Sequence, residues 1–150
     1  GERPITYDDV PHQMFTQQAS PALLAKLIEA TKEFSEGVGT VIEPTKVSFP
    51  TSKPAYHLPK HAQLPEGLLR YNREHAHIHA IWAPNQSRRE AGTGGGSMHV
   101  SVSHSDAQLL ISKGWAEWHP MAREDFPHIL LYPPRDESEI DSICLKVLGA

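Results

Sequence analysis

Apolar positions along the chain change period several times, and each change marks an element. Leu23, Leu24, Leu27, Ile28 and Phe34 form one helical stripe, with Ser20 as N-cap, Pro21 at the first helical position and Gly37 as the stop. The β-branched residues Thr40, Val41, Ile42, Thr45 and Val47 predict a strand over 39–49, broken at Pro44. Pro50, Pro54, Pro59 and Pro65 limit the next stretch to a short strand around Ala55 to Leu58. Ala76 to Trp82 reads as a strand. Met98 to His104 alternates, with Met98, Val100, Val102 and His104 on one side and His99, Ser101 and Ser103 on the other. A second helix starts at Ser105 with Gln108 as its capping-box partner, buries Ala107, Leu109 and Leu110, and ends at Gly114. Strand re-enters at 115–120, and again from His128 to Tyr132. A last helix opens with Asp136 and Glu139, carries Ile140, Ile143, Cys144, Val147 and Leu148 on one face, and stops at Gly149.

These elements predict a single α+β domain over 1–150: a mainly antiparallel sheet with about three helices on one face. Residues 1–19 read as an extended arm. Residues 83–97, APNQSRREAGTGGGS, read as a flexible glycine-rich loop. The GTGGGS run lacks the Gly-Lys-Ser/Thr ending of a phosphate cradle and leads into a strand, so no nucleotide or flavin motif is present.

Composition narrows the function classes. With 14 Lys plus Arg against 18 Asp plus Glu, the net charge is -4 and the basic residues are scattered, which argues against nucleic acid as a partner. No apolar run approaches the length of a membrane span, so the chain is expected to be soluble as it stands. Its start, Gly1-Glu2-Arg3-Pro4, leaves room for a targeting or anchoring segment upstream, and localisation stays open. Cys144 has no second cysteine to pair with and is expected to be a small buried hydrophobe. Asn85-Gln86-Ser87 fits a glycosylation sequon in a polar loop.

The candidate chemistry lies in EHAHIHAIW, residues 74–82. His77 and His79, two positions apart in a strand, share a face, while Ala76, Ile78 and Ala80 take the other. If the strand carrying His99 is its neighbour, His77, His79 and His99 line a pocket on the sheet face that the helices leave free. His119, in a turn after Trp115 and Trp118, can reach the same pocket. Three or four imidazoles suit a divalent transition metal (Zn, Fe, Mn or Cu) with an open position. They serve equally as a general base and anion-stabilising donors without metal. His12, His57, His61, His75, His104 and His128 are expected to be surface, loop or satisfied core groups. Trp115 and Tyr132 more commonly fill a core, although a flat ligand would need such walls.

Four segments resemble, in order and spacing, the fungal luciferase family, whose luciferase-like domain occurs in luminous mushrooms and many dark relatives. They are Arg73-Glu74-His75-Ala76-His77-Ile78-His79, Met98-His99-Val100, Lys113-Gly114-Trp115-Ala116-Glu117-Trp118-His119-Pro120-Met121-Ala122 and Leu131-Tyr132-Pro133-Pro134-Arg135-Asp136-Glu137. Thr51-Ser52-Lys53 looks like the stretch that precedes the histidine strand. The resemblance spans about Ile42 to Val147. It implies a site of His77, His79, His99 and His119, with Trp115, Tyr132, Arg135 and Lys53 toward the substrate. His75 stands where luminous members have an aliphatic residue, Glu117-Trp118 replaces a more polar, basic pair, and the loop 83–97 is longer. Relatives often carry an N-terminal membrane anchor.

The resemblance implies an oxygenase of secondary metabolism with O2 as co-substrate and a 3-hydroxy-2-pyrone-like, enolic or phenolic small molecule. O2 adds to the electron-rich ring, a bridged peroxide forms and carbon dioxide leaves, and light follows only if the product fluoresces. Two other readings stay open: a metal-dependent lyase, hydrolase or isomerase using the same histidines, and a non-catalytic small-molecule or metal-binding domain. No protein partner is indicated.

Overall fold

A computed structural model describes residues 2–7, 12, 14–46, 54–80 and 95–149. The expected Lys53, Trp82, Asn85-Gln86-Ser87 and the 83–94 part of the glycine-rich loop lie outside these residues.

The architecture is α+β. Six strands, β1 (Val41–Pro44), β2 (Pro54–His57), β3 (Glu74–Ile78), β4 (Met98–Ser101), β5 (Ala116–Trp118) and β6 (His128–Leu131), form one antiparallel sheet in the order β1-β2-β3-β4-β6-β5. Helix α1 (Pro21–Val38) is capped by the Ser20 hydroxyl, which accepts from the Leu23 N–H. It runs past Gly37 and ends at Gly39, whose φ of 75° supplies the left-handed turn that closes the helix. A short α2 (Glu66–Arg70), not expected from a proline-rich stretch, sits between β2 and β3. Helix α3 (His104–Ser112) starts two residues before the sequence suggests, because Ser103 rather than Ser105 accepts the Asp106 N–H. Leu109 is correspondingly exposed, at 56%, while Ala107 and Leu110 are buried. The C-terminal helix opens at Glu137–Glu139 under the Asp136 cap, widens into a π turn over Ile140–Leu145 and closes over Lys146–Leu148.

One sheet face packs on the long helices. Tyr56, Ala76, Ile78, Met98, Val100, Ile129 and Leu131 meet Leu24 and Leu27 of α1, Ala107 and Leu110 of α3, and Ile140, Ile143, Cys144 and Val147 of the C-terminal helix. Burying these apolar side chains is the main stabilising term.

The opposite face carries the alternate residues, His77, His99 and Leu130, and is covered by the N-terminal arm. The arm folds back on itself, with Thr6 opposite Met14 and the Phe15 N–H donating to the Ile5 carbonyl at 2.7 Å. Met14 is 1% exposed and packs on Leu130 and Tyr132. The histidines therefore lie on the face expected, but beneath a strap of chain rather than in an open groove. Among the described residues no helix is long and apolar enough to cross a membrane.

Candidate functional site

Strand β3 is delivered to its place by a turn that only unusual backbone permits. Asn72 and Arg73 have φ of 58° and 64°, and the Arg73 guanidinium donates to the carbonyls of Leu58, Pro59 and Ala62, tying the preceding loop to the strand. Beyond β3, His79 is pinned by its backbone: its N–H donates to the Ser97 carbonyl and its carbonyl accepts from the Gly96 N–H. Residues 95–97, assigned from composition to a flexible loop, are thus a fixed turn. Gly95 and Gly96 adopt φ of 45° and 94°, and a Cβ on Gly95 would stand 2.3 Å from the Gln18 Cβ, so glycine is needed for both the twist and the close approach.

His99 lies directly opposite His77 in the β3–β4 register and is the hub of the site. Its ring centroid is 4.9 Å from His77, 4.6 Å from His79, 4.5 Å from His119, 5.5 Å from His128 and 5.7 Å from His12. The four histidines singled out in the sequence are therefore gathered in one place. His12 and His128, assigned to incidental roles, join them. His12 arrives on the folded-back arm, and His128 sits on β6 on the same face as His99, its hydroxyl partner Ser101 at 3.0 Å. Two groups of three can each offer one nitrogen within 4.8 Å of the others: His77, His79 and His99, and His12, His99 and His119.

Hydrogen bonds fix which ring nitrogens carry protons. The Glu74 carboxylate accepts from His77 Nδ1 at 2.9 Å, leaving Nε2 of the neutral ring as an acceptor. That Nε2 is 3.2 Å from His99 Nδ1. Glu117 accepts from His12 Nε2 at 2.7 Å and from the Tyr132 hydroxyl at 2.9 Å. In the neutral His12 ring the lone pair is on Nδ1, which is buried and has no hydrogen-bond partner among the described residues. His119 is the reverse case: its Nδ1 accepts the Met121 N–H at 3.0 Å, so the neutral ring presents an Nε2–H donor.

The surroundings keep His99, His119 and His128 uncharged. Burial, reinforced by His79, His77, His128 and His119, holds the His99 pKa well below the usual imidazole range. Burial and then His119, His77 and His12 do the same at His128. His119 is pushed down to about 4, by burial first and then by His12 and His77. Burial alone would raise the Glu74 pKa, yet bonds from His77, Thr45 and the Lys46 N–H outweigh it and keep the carboxylate ionised. Glu117 behaves alike, with His12, Thr6 and Tyr132 outweighing burial. A buried group of imidazoles flanked by two anchored carboxylates can ligate a metal, abstract a proton or donate to a developing anion.

Trp115, Tyr132 and Arg135 share a separate cavity of about 420 Å³ with Arg3, Lys113 and Cys144. Tyr132 links it to the cluster through Glu117 and His12. Arg135 is held by Glu139, which accepts from its guanidinium and its backbone N–H. Cys144 is buried, and burial foremost pushes its thiol pKa up to about 12, as for an inert core thiol. His75 is buried away from the cluster, in a cavity with Leu58, Ser101 and Phe126.

Glu74 and Glu117 have no role in the sequence reading, and His12 and His128 have only incidental ones. The one signal for Glu74 was a carboxylate inside the histidine strand; the others have no local pattern.

Comparison with curated proteins and with solved structures returns no match. Residues 92–145, which carry His99, Trp115, His119, His128, Tyr132 and Arg135, match the luciferase domain family, and over that part the chain is similar to it.

Proposed function

We propose that this protein is an oxygenase of the luciferase type, adding O2 to an enolic or phenolic, pyrone-like small molecule. The observation that carries the reading is the pairing, within one buried cluster, of a proton acceptor with a proton donor. His12, oriented by Glu117, offers a lone pair on Nδ1, and His119, 5.1 Å away between ring centroids, offers Nε2–H. An enol needs the first to become an electron-rich enolate, and the peroxide anion formed when O2 adds needs the second. The luciferase-like stretch supports the same chemistry. Exclusion of water by the N-terminal arm protects such an anion from stray protonation. Light emission is not part of the proposal, since it depends on the product.

The test is O2 uptake with a panel of 3-hydroxy- and 4-hydroxy-2-pyrones. Uptake in step with substrate loss is expected, falling on the order of 10²-fold or more in His12→Gln and His119→Gln, the usual weight of one general acid or base. Substrate turnover without O2 consumption would replace the proposal by lyase or hydrolase chemistry. Tight binding with no turnover would leave a binding domain.

A further inference from the structure

We infer that His77, His79 and His99 bind one divalent transition-metal ion through three imidazoles, with His12 and His119 beside the ligand set as proton-transferring groups rather than ligands. The assignment concerns the protein alone and is read without any turnover, so it stands or falls separately from the oxygenase proposal.

The three rings stand on rigid backbone. His77 and His99 are register partners on adjacent strands, and His79 lies two residues beyond His77, held by main-chain bonds to Ser97 and Gly96. The planes meet at 78° for His77–His99, 82° for His79–His99 and 60° for His77–His79, so the rings present edges to one another instead of stacking. Edge-on convergence is what a shared ligating point requires. Two imidazole nitrogens, each about 2.0–2.1 Å from a tetrahedral metal, lie about 3.3 Å apart. His77 Nε2 and His99 Nδ1 are already 3.2 Å apart.

Two of the three outer nitrogens are also provided for, while His99 Nε2 is buried with no hydrogen-bond partner among the described residues. His77 Nδ1 donates to the Glu74 carboxylate, the arrangement that orients a metal-bound imidazole and raises its basicity. His79 Nδ1 is 2.9 Å from the Ser97 hydroxyl, which can accept its proton and so direct Nε2 to the metal.

The competing group, His12, His99 and His119, fails on its proton. The Met121 N–H occupies His119 Nδ1 and obliges the neutral ring to carry hydrogen on Nε2, the other atom that could ligate. Three imidazoles with one position left open define a site for Zn2+, Mn2+, Fe2+ or Co2+ that can still take a substrate oxygen.

The test uses untagged, chelator-stripped protein titrated with Zn2+ and Co2+. One equivalent is expected to bind, with a raised melting temperature and a Co2+ absorption typical of nitrogen ligation. Binding should weaken at least 100-fold in His79→Gln and 10–100-fold in Glu74→Gln, and stay within threefold of wild type in His12→Gln and His119→Gln. Absence of binding to the wild type overturns the inference. So does the opposite pattern, loss in His12→Gln and His119→Gln with retention in His79→Gln. Should the His79 variant fail to fold, pulsed electron paramagnetic resonance on Cu2+-loaded His12→Gln and His119→Gln decides: three coordinated imidazoles in both sustain the assignment, and fewer in either overturn it.

Discussion

Glu74 and His77, three residues apart on β3, bond to each other inside the sheet face, carboxylate to Nδ1 at 2.9 Å, although successive strand residues at that spacing point to opposite faces. The irregular register between β2 and β3 at Tyr56 and His57 turns Glu74 toward the cluster. The same carboxylate accepts from Thr45 Oγ1 at 2.7 Å and the Lys46 N–H at 3.0 Å, so one side chain ties the end of β1 to the histidine strand.

Glu74→Leu preserves approximate volume but removes the acceptor of three hydrogen bonds, two of them buried. A loss of about 3–5 kcal/mol is expected, that of a broken buried charge network, measured as a lowered urea midpoint with an unchanged slope. Glu74→Gln, which keeps one acceptor oxygen, should cost less than Glu74→Leu. Midpoints equal to that of the wild type in both variants would show that the network contributes nothing.

Gly95→Ala should destabilise the protein by about 1–3 kcal/mol, because the new methyl group meets the Gln18 side chain at a positive φ. Since the Ala19 N–H donates to the Gly95 carbonyl and the neighbouring Gly96 holds His79, the change should also speed amide exchange at Ala19 and His79. Unchanged exchange at both would mean that the turn does not position the histidine.

Met14→Ala removes the arm's buried anchor on Leu130 and Tyr132. The variant should lose about 2–4 kcal/mol of arm docking, seen as faster proteolysis within residues 1–19 while the sheet stays protected. Since His12 travels with the arm, O2 uptake should fall along with docking. Full activity in a variant whose arm is cleaved would exclude His12 from the reaction.

Acid should unfold the metal-free protein early. His99 and His128 have folded pKa values well below 6.5, and His75 and His119 have values of about 4. Between about 4 and 6.5 the unfolded chain therefore binds protons that the native state refuses. Stability is complete above 6.5 and declines as pH falls, by about 1.4 kcal/mol per pH unit for each such histidine. Glu74 and Glu117, whose pKa values are lowered, add their loss only below the ordinary carboxylate range. With chelator present, the urea midpoint should hold between pH 7 and 8 and drop steadily from 6.5 to 4.5. A flat midpoint from 6.5 to 5 would show these imidazoles to be charged in the native state.

What the sequence determined by itself is local. Period-two alternation put His77, His79 and His99 on the face away from Ala76, Ile78, Met98 and Val100, because successive residues of a regular strand point to opposite sides. Ser20 and Asp136 marked helix starts because their side chains cap whatever follows. Helix phase was legible only to within a residue or two: Ser103 and Ser105 are equally good caps in isolation, and the packing of Ala107 and Leu110 on the sheet selects Ser103. The tertiary structure alone decided that His12 and His128 join the cluster, that Glu74 and Glu117 back His77 and His12, and that the arm roofs the site. Each of these depends on long-range chain return and strand register. Their free energy comes from contacts between segments far apart in the chain, 105 residues for His12 and Glu117, and no local pattern of polar and apolar positions encodes which distant ring a given imidazole will meet.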